Sequence, residues 1–326
     1  MIRSGGAGAK ARVRQSAIES LERRIFLSSA IAVFAPQQTL GAGADPRSAT
    51  VADVNRDGKP DLIVANAGGG TVTVFLGNGA GAFASQGASL AGAKPYSVAV
   101  GDVNGDGKPD LLTANYGSGT ISVLLGNGDG TFGNPATFAA GAGAYTVVLS
   151  DLNGDGKLDA AVTDYSANTV SVLLGTGSGS FSAPAAQAVG TTPNGLAIAD
   201  LNGDGKPDLV ATNYGSGSVS LLLGNGNGTF VPQQTLAAGA APISVAVGDI
   251  NSDGKPDLAV ANFATAGSVD LLLGNGDGSF QTRKSLGVAS QPSAVAIADV
   301  NRDGKLDIAF ASFGVNQAGV LLGNGN

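Results

Sequence analysis

The chain contains no cysteine, no histidine and no tryptophan, and a single methionine. Without cysteine there is no disulfide, thiolate nucleophile, zinc–thiolate site or iron–sulfur cluster. Without histidine there is no Ser-His-Asp triad, no imidazole metal ligand and no imidazole proton switch. Without tryptophan, the largest side chain for stacking a sugar or a base is missing. Long apolar runs are scarce too. The run over residues 25–35, Ile-Phe-Leu-Ser-Ser-Ala-Ile-Ala-Val-Phe-Ala, is eleven residues long, too short to span a bilayer as a helix. Glycine is plentiful, at 52 of 326 residues, but follows no collagen triplet. Such a composition fits an all-β chain with many tight turns, because glycine reaches positive φ without steric cost.

Charge is unevenly placed. Residues 1–33 carry Arg3, Lys10, Arg12, Arg14, Arg23 and Arg24 against Glu19 and Glu22, a net of +4, so the total of −7 leaves −11 on the rest. An acidic body offers no electrostatic footprint for nucleic acid. The basic, then apolar, then small-residue order of the first 33 residues has the layout of an export signal; a disordered tail, or an apolar end packed on the domain, is the other reading.

From residue 34 to 326 one unit recurs six times, which overrides any domain count based on length. In the second copy, Tyr96–Asp102 alternates small and apolar residues and predicts a strand. An acidic loop, Asp102–Asp110, leads into a second predicted strand, Leu111–Tyr116, and a third, Thr120–Leu125. After an Asn-Gly turn, Thr131–Phe138 predicts a fourth, more polar strand, and Pro135 suits an outer edge. The loops begin at Asp53, Asp102, Asp151, Asp200, Asp249 and Asp299, spaced 49, 49, 49, 49 and 50 residues apart. Four short antiparallel strands at this period predict an all-β, six-bladed β-propeller; an incomplete seven-bladed propeller and a longer β-solenoid are the alternatives. Phe34-Ala-Pro-Gln-Gln-Thr-Leu40 closely matches the fourth strand Phe230-Val-Pro-Gln-Gln-Thr-Leu236, while the last copy stops after its third strand. Residues 34–40 are therefore expected to complete the last blade and close the ring, unless the chain is a fragment of a longer array.

Each loop reads D-x-N-x-D-G-K-x-D. Oxygen ligands at alternate positions of a tight loop converge on one point, and Ca²⁺ takes six to eight such hard donors. The first loop offers Asp53, Asn55, Asp57, the Lys59 carbonyl and Asp61, and the second Asp102, Asn104, Asp106, Lys108 and Asp110. The third offers Asp151, Asn153, Asp155, Lys157 and Asp159, and the fourth Asp200, Asn202, Asp204, Lys206 and Asp208. The fifth offers Asp249, Asn251, Asp253, Lys255 and Asp257, and the sixth Asp299, Asn301, Asp303, Lys305 and Asp307. About six Ca²⁺ per chain are expected. The lysine side chains are expected to point outward, and the last aspartate to close the cage. The loop is not an EF-hand, whose twelfth position needs Glu where the first copy has Val64. Mg²⁺ suits it less, since it prefers a rigid octahedron with retained waters. Metal-free Asp/Asn/Gly turns are the competing reading. Against them, the loops concentrate 18 of the 25 acidic residues, three in each nine-residue segment. Six Ca²⁺ would bring the body close to neutrality.

These loops, with the Leu-Leu-Gly-Asn-Gly-x-Gly-Thr/Ser-Phe turn that follows them, resemble FG-GAP and VCBS-type repeats, the family of the integrin α-subunit propeller. The resemblance covers residues 34–326 and implies a propeller with Ca²⁺ between the first two strands of each blade. It also implies a role in adhesion or extracellular binding, although the best-known members have seven blades. Ser20-Leu-Glu-Arg-Arg-Ile-Phe-Leu-Ser-Ser-Ala30 resembles the LEPR-XLL segment of bacterial surface proteins, with Arg23 where that family has Pro. Together these imply a secreted or cell-surface bacterial protein without a membrane span, expected to be monomeric.

In an up-and-down blade the acidic loops and Asn-Gly turns share one face, nearly invariant among the copies. The other face varies. Six residues before each loop stand Arg47, Tyr96, Tyr145, Asn194, Ile243 and Ser293, and after the second strand Ala67, Tyr116, Tyr165, Tyr214, Phe263 and Phe313. These side chains either present a face to a protein or glycan ligand or pack between blades. Asn66, Asn115, Asp164, Asn213 and Asn262 are expected to cap turns. The leading functional reading is a non-enzymatic binding module. A glycan lyase or hydrolase would need positioned carboxylates. Outside the loops, Asp45, Asp129, Asp164, Asp270 and Asp277 form no evident pair. A structural spacer in a larger surface protein is the third possibility.

Overall fold

The computed structural model describes residues 38–326. By contact it divides into two units. The described part of the smaller is Gln38, Thr39 and the Asp299–Gly304 loop; the larger comprises Leu40–Ala298 and Lys305–Asn326. The larger unit is an all-β, six-bladed propeller of mostly four-stranded antiparallel blades.

Blade one contains β1 (Pro46–Ala52), β2 (Asp61–Asn66), β3 (Thr71–Gly77) and β4 (Phe83–Leu90). Blade two contains β5 (Pro95–Gly101), β6 (Asp110–Asn115), β7 (Thr120–Leu124) and β8 (Ala136–Ala139). Blade three contains β9 (Ala144–Ser150), β10 (Asp159–Asp164), β11 (Thr169–Leu173) and β12 (Ala185–Ala188). Blade four contains β13 (Pro193–Ala199), β14 (Asp208–Asn213), β15 (Ser218–Leu222) and β16 (Gln234–Ala237). Blade five contains β17 (Pro242–Gly248), β18 (Asp257–Asn262), β19 (Ser268–Leu272) and β20 (Lys284–Gly287). The described strands of blade six are β21 (Pro292–Ala298), β22 (Asp307–Ser312) and β23 (Gln317–Leu321).

The sequence of each strand matches its place in the blade. Second strands such as β6 and β10 are buried along their whole length, so they read as near-continuous apolar or small runs. Fourth strands such as β8 and β16 are mostly exposed, with one inward residue each, as suits an outer edge. The fourth strand is interrupted: Phe132 bridges to Gly126, and the regular ladder begins only at Ala136, after Pro135, which has no N–H to give. Apolar residues gather in five cores, each between consecutive blades. Leu112, Ile121 and Leu173, for example, meet between blades two and three. Each fully buried side chain of this kind stabilises by about 1.5–3 kcal/mol. First strands contact the first strands of the next blade, which places them along the ring axis.

Most of the expected closing strand lies outside the described residues; Gln38–Leu40 form no strand, and β23 has no fourth partner among the described residues. Val51 on β1 remains 64% exposed. The export-like and LEPR-XLL-like segments also lie outside the described residues. Among the described residues no helix is long and apolar enough to cross a membrane.

Candidate metal loops and the aromatic mouth

The acidic loops follow one plan. In the first, Asp53 accepts the Asp57 N–H at 3.1 Å through Oδ1 and the Gly58 N–H at 2.8 Å through Oδ2. Asn55 Oδ1 also accepts the Asp57 N–H, at 3.1 Å. Asp57 Oδ1 accepts the Lys59 N–H at 3.0 Å, and its Oδ2 pairs with Lys59 Nζ at 3.1 Å. The same lysine contact recurs between Lys108 and Asp106, Lys157 and Asp155, and Lys206 and Asp204. The lysine was expected to point outward. It folds back instead, because its ammonium finds the nearest carboxylate two residues away. Its methylenes lie over the Asn-Gly turn, where a Cβ on Gly79 would meet Lys59 Cδ at 3.2 Å. The Lys59 contact holds the Asp57 carboxyl below the usual carboxylate range. In the sixth loop, Asp299 accepts the N–H groups of Asp303 and Gly304, and Asn301 Oδ1 accepts that of Asp303.

The last aspartate of the loop behaves differently. Asp208 is fully buried; its Oδ2 accepts the Leu201 N–H at 2.8 Å and its Oδ1 the Gly224 N–H at 2.7 Å. Asp61, Asp110, Asp159 and Asp257 make the same pair of bonds, joining the loop to the end of the third strand. Desolvation pushes the Asp110, Asp159, Asp208 and Asp257 carboxyls upward against those bonds, and the neighbouring loop aspartates add to the push. Gly224 must be glycine, since a Cβ there would run into the Pro207 carbonyl oxygen. Turns also stitch neighbouring blades: the Gly228 N–H reaches the Leu152 carbonyl at 3.0 Å.

At the opposite ends of these strands every blade carries a one-residue bulge in its first strand. Arg47, Tyr96, Ile243 and Ser293 are the extra residues in their strands, and Tyr145 and Asn194 lie within the corresponding irregularities. A bulge re-aims the side chain it carries. Just before it the backbone turns left-handed at Asp45, Lys94, Thr192, Ala241 and Gln291, each followed by proline, a costly conformation for non-glycine residues. The carbonyls of Lys94, Gly143, Thr192 and Ala241 accept the N–H groups of Tyr116, Tyr165, Tyr214 and Phe263. That clamp fixes the aromatic residue following the second strand.

The result is a continuous aromatic array. Tyr96 stacks on Tyr116 at 4.6 Å between centroids and 10° between planes, and Tyr145 stacks on Tyr165 at 5.8 Å and 22°. The two pairs meet edge to face, with Tyr96 and Tyr145 at 5.1 Å. Arg47 places its guanidinium carbon 5.0 Å from the Tyr96 centroid and forms an ion pair with Asp45 at 3.0 Å. The side chains surround a cavity of about 290 Å³ reached by residues of five blades, including Asn194, Tyr214, Ile243 and Phe263. The aromatic residues thus pack on one another across blades and also line an opening.

A family profile described as an FG-GAP-like repeat matches residues 53–113, 102–162, 151–211, 200–260 and 249–310. The chain belongs to the FG-GAP-like repeat family. A comparison with curated proteins gives no significant match. Among solved structures, the FG-GAP-like propeller is similar to an Agrocybe aegerita lectin that recognises non-reducing terminal N-acetylglucosamine. That similarity is 20% identity and TM-score 0.58, over 86% of this chain and 78% of that one. A functionally unknown protein from Desulfotomaculum acetoxidans matches at 14% identity and TM-score 0.66, over 90% and 86% of the two chains. A putative 6-phosphogluconolactonase from Bacteroides uniformis matches at 19% identity and TM-score 0.62, over 81% and 78%. At these identities the likeness is one of fold.

The FG-GAP-like loops fit a hard cation in their chemistry. Their donors are oxygens only, and a carboxylate oxygen that accepts one amide keeps a further lone pair. Yet among the described residues no three acidic groups are gathered at one point. In the first four loops the lysine holds the middle aspartate, and in the first five the last aspartate is turned to the backbone. A cation seated in one of those four loops would have to displace the lysine ammonium.

The acids outside the loops have structural partners. Asp129 and Asp277 accept the N–H and O–H of Thr131 and Ser279 in their turns. Asp270, fully buried, meets Arg283 at 2.7 Å. Asp164 accepts from Gly141 N–H, Thr169 O–H and Ser171 O–H. Its counterparts Asn66 and Asn115 instead donate to the two hydroxyls, at 3.3 and 2.9 Å and at 3.2 and 2.8 Å. These residues therefore do more than cap turns: they tie the second strand to the third from inside the blade. The sequence reading had no signal for the bulges, which leave the strand pattern intact on both sides.

Proposed function

We propose that this FG-GAP-like propeller is a calcium-loaded, non-enzymatic binding module that acts outside the cell or at its surface. The observation that carries the reading is the contrast between the two ends of the blades. One end repeats the same oxygen-rich loop in every copy, as a structural cation site would. The other end differs from blade to blade and lines the aromatic opening, as a recognition surface would. The lectin with the same fold supports the idea that such a scaffold can present a glycan site. The non-enzymatic reading is supported by the acids outside the loops: among the described residues Asp45, Asp129, Asp164, Asp270 and Asp277 are each engaged with a neighbouring group.

Calcium would be held by the side-chain oxygens and lysine carbonyls of the loops, and it would supply the positive charge that the clustered aspartates lack. A glycan array probed in calcium and again with chelator, beside a reducing-end release assay, tests the reading. Calcium-dependent capture without release supports it. Release of reducing ends would replace it with a glycan-cleaving enzyme, and no capture at all would favour a spacer.

A further inference from the structure

We infer that the aromatic opening is a binding site for a single neutral pyranose ring, held by Asn194 and the tyrosines of blades two and three. This rests on the binding-module reading and gives its ligand a chemistry and a place.

The first observation is Asn194. It stands where two other copies have tyrosine, is 3% exposed and lines the cavity. Its carboxamide oxygen is buried without a donor. A buried acceptor left unmade is costly; a rotation of the side chain toward the cavity it lines would present that oxygen to a ligand hydroxyl. The second is the tyrosines. Their rings are fixed by stacking and edge contacts, and none of their hydroxyls bonds to a described protein group. A sugar, with ring C–H groups on its faces and hydroxyls around its rim, matches flat aromatic walls edged with donor–acceptor groups.

Charge separates this from other ligands. An aromatic cup attracts cations. Here a cation is already in place, because Arg47 lies over Tyr96. Arg47 is itself neutralised by Asp45 through two contacts, at 3.0 and 3.1 Å, so the site has no spare charge for an anion. Size points the same way: about 290 Å³ falls just below the ~300–1,000 Å³ of small-molecule pockets, enough for one ring rather than an extended chain. The bulges at Tyr96, Tyr145 and Asn194 show how the chain aims these side chains without altering the blade.

The test is calorimetric titration of the whole chain, in calcium, with methyl glycosides of glucose, galactose and N-acetylglucosamine. Methyl glucuronoside and arginine methyl ester serve as charged comparisons. At least one neutral glycoside should bind more tightly than either charged probe. Asn194→Ala should weaken it about fivefold or more, the loss of roughly one hydrogen bond. Tyr116→Ala should weaken it further, and Tyr145→Phe, which keeps the ring, should have the smallest effect. Melting curves establish that each variant is folded. No binding of any neutral glycoside, preference for the arginine ester, or equal affinity in the wild type and folded Asn194→Ala would overturn the inference. Array capture that survives in Asn194→Ala would place the ligand elsewhere and leave the binding-module reading standing. Glycoside binding that Asn194→Ala weakens would uphold both the site and the binding-module reading.

Discussion

Two aspartates of one loop should respond to mutation in different ways, one by losing fold stability and the other by losing only the response to calcium. Asp208 is fully buried and accepts two backbone N–H groups, from Leu201 and Gly224. Hydrogen bonds to a charged acceptor contribute about 1.5–3 kcal/mol each, so two amount to about 3–6 kcal/mol. Burial opposes the charge and raises the carboxyl's pKa, which puts the net loss nearer the lower figure. Asp208→Ala should therefore cost about 3 kcal/mol, since it leaves both amides buried and unpaired. That is a large part of a typical ~5–15 kcal/mol stability. Asp208→Asn should recover little, because its amide nitrogen would face one of the N–H donors. Asp204, four residues earlier, is exposed and paired only with Lys206 and its own loop backbone. Asp204→Ala should leave the urea midpoint in chelator unchanged and lower only the stabilisation gained from calcium. Urea unfolding of both variants, with and without calcium, measures this. If Asp208→Ala unfolded at the wild-type midpoint in chelator, the structural role of the last loop aspartate would be refuted.

Asp164→Asn should be tolerated, because asparagine occupies the matching site in other blades with its amide donating to the same kind of hydroxyls. The Asp164 carboxyl is pushed up by desolvation. The folded state thus holds its proton more tightly than the unfolded chain, and the wild type loses stability as pH rises from the unfolded carboxylate pKa through the raised folded one. The gain from Asp164→Asn should be nil at the acid end of that window and grow toward neutrality, as melting temperatures against pH will show. Arg283→Ala strands the buried Asp270 carboxylate and should cost about 3 kcal/mol, toward the lower end for a broken buried pair because Arg283 is partly exposed. Adding Asp270→Ser, the residue at this position in blades two to four, should restore most of it in denaturant melts.

The propeller was legible because its repeat is strict. The 49-residue spacing, the alternation in Tyr96–Asp102 and the Asn-Gly turns fix the blade, and its first three strands shift from the expected bounds by about one residue. The fourth strand was harder to read, since Pro135 leaves a gap in the ladder that apolar periodicity does not register. Within the loops, residue type identified hard oxygen donors, but not their present partners. That Lys59 folds back on Asp57, or that Asp61 spends both oxygens on amides, depends on turns brought together only by the folded blade. The aromatic opening was visible as variation at fixed offsets. Its shape depends on bulges and left-handed residues that have no pattern of their own.

If the loops bind calcium in the folded state, chelation must destabilise the propeller. At ~2 mM calcium and a dissociation constant of ~1 mM, within the range of extracellular calcium modules, each site adds about 0.6 kcal/mol. Six independent sites add about 4 kcal/mol. Differential scanning calorimetry should show the melting temperature falling by several degrees with EDTA and returning with millimolar calcium, with magnesium much less effective. Identical melting with and without EDTA would mean that the acidic loops are ordinary turns that bind no calcium.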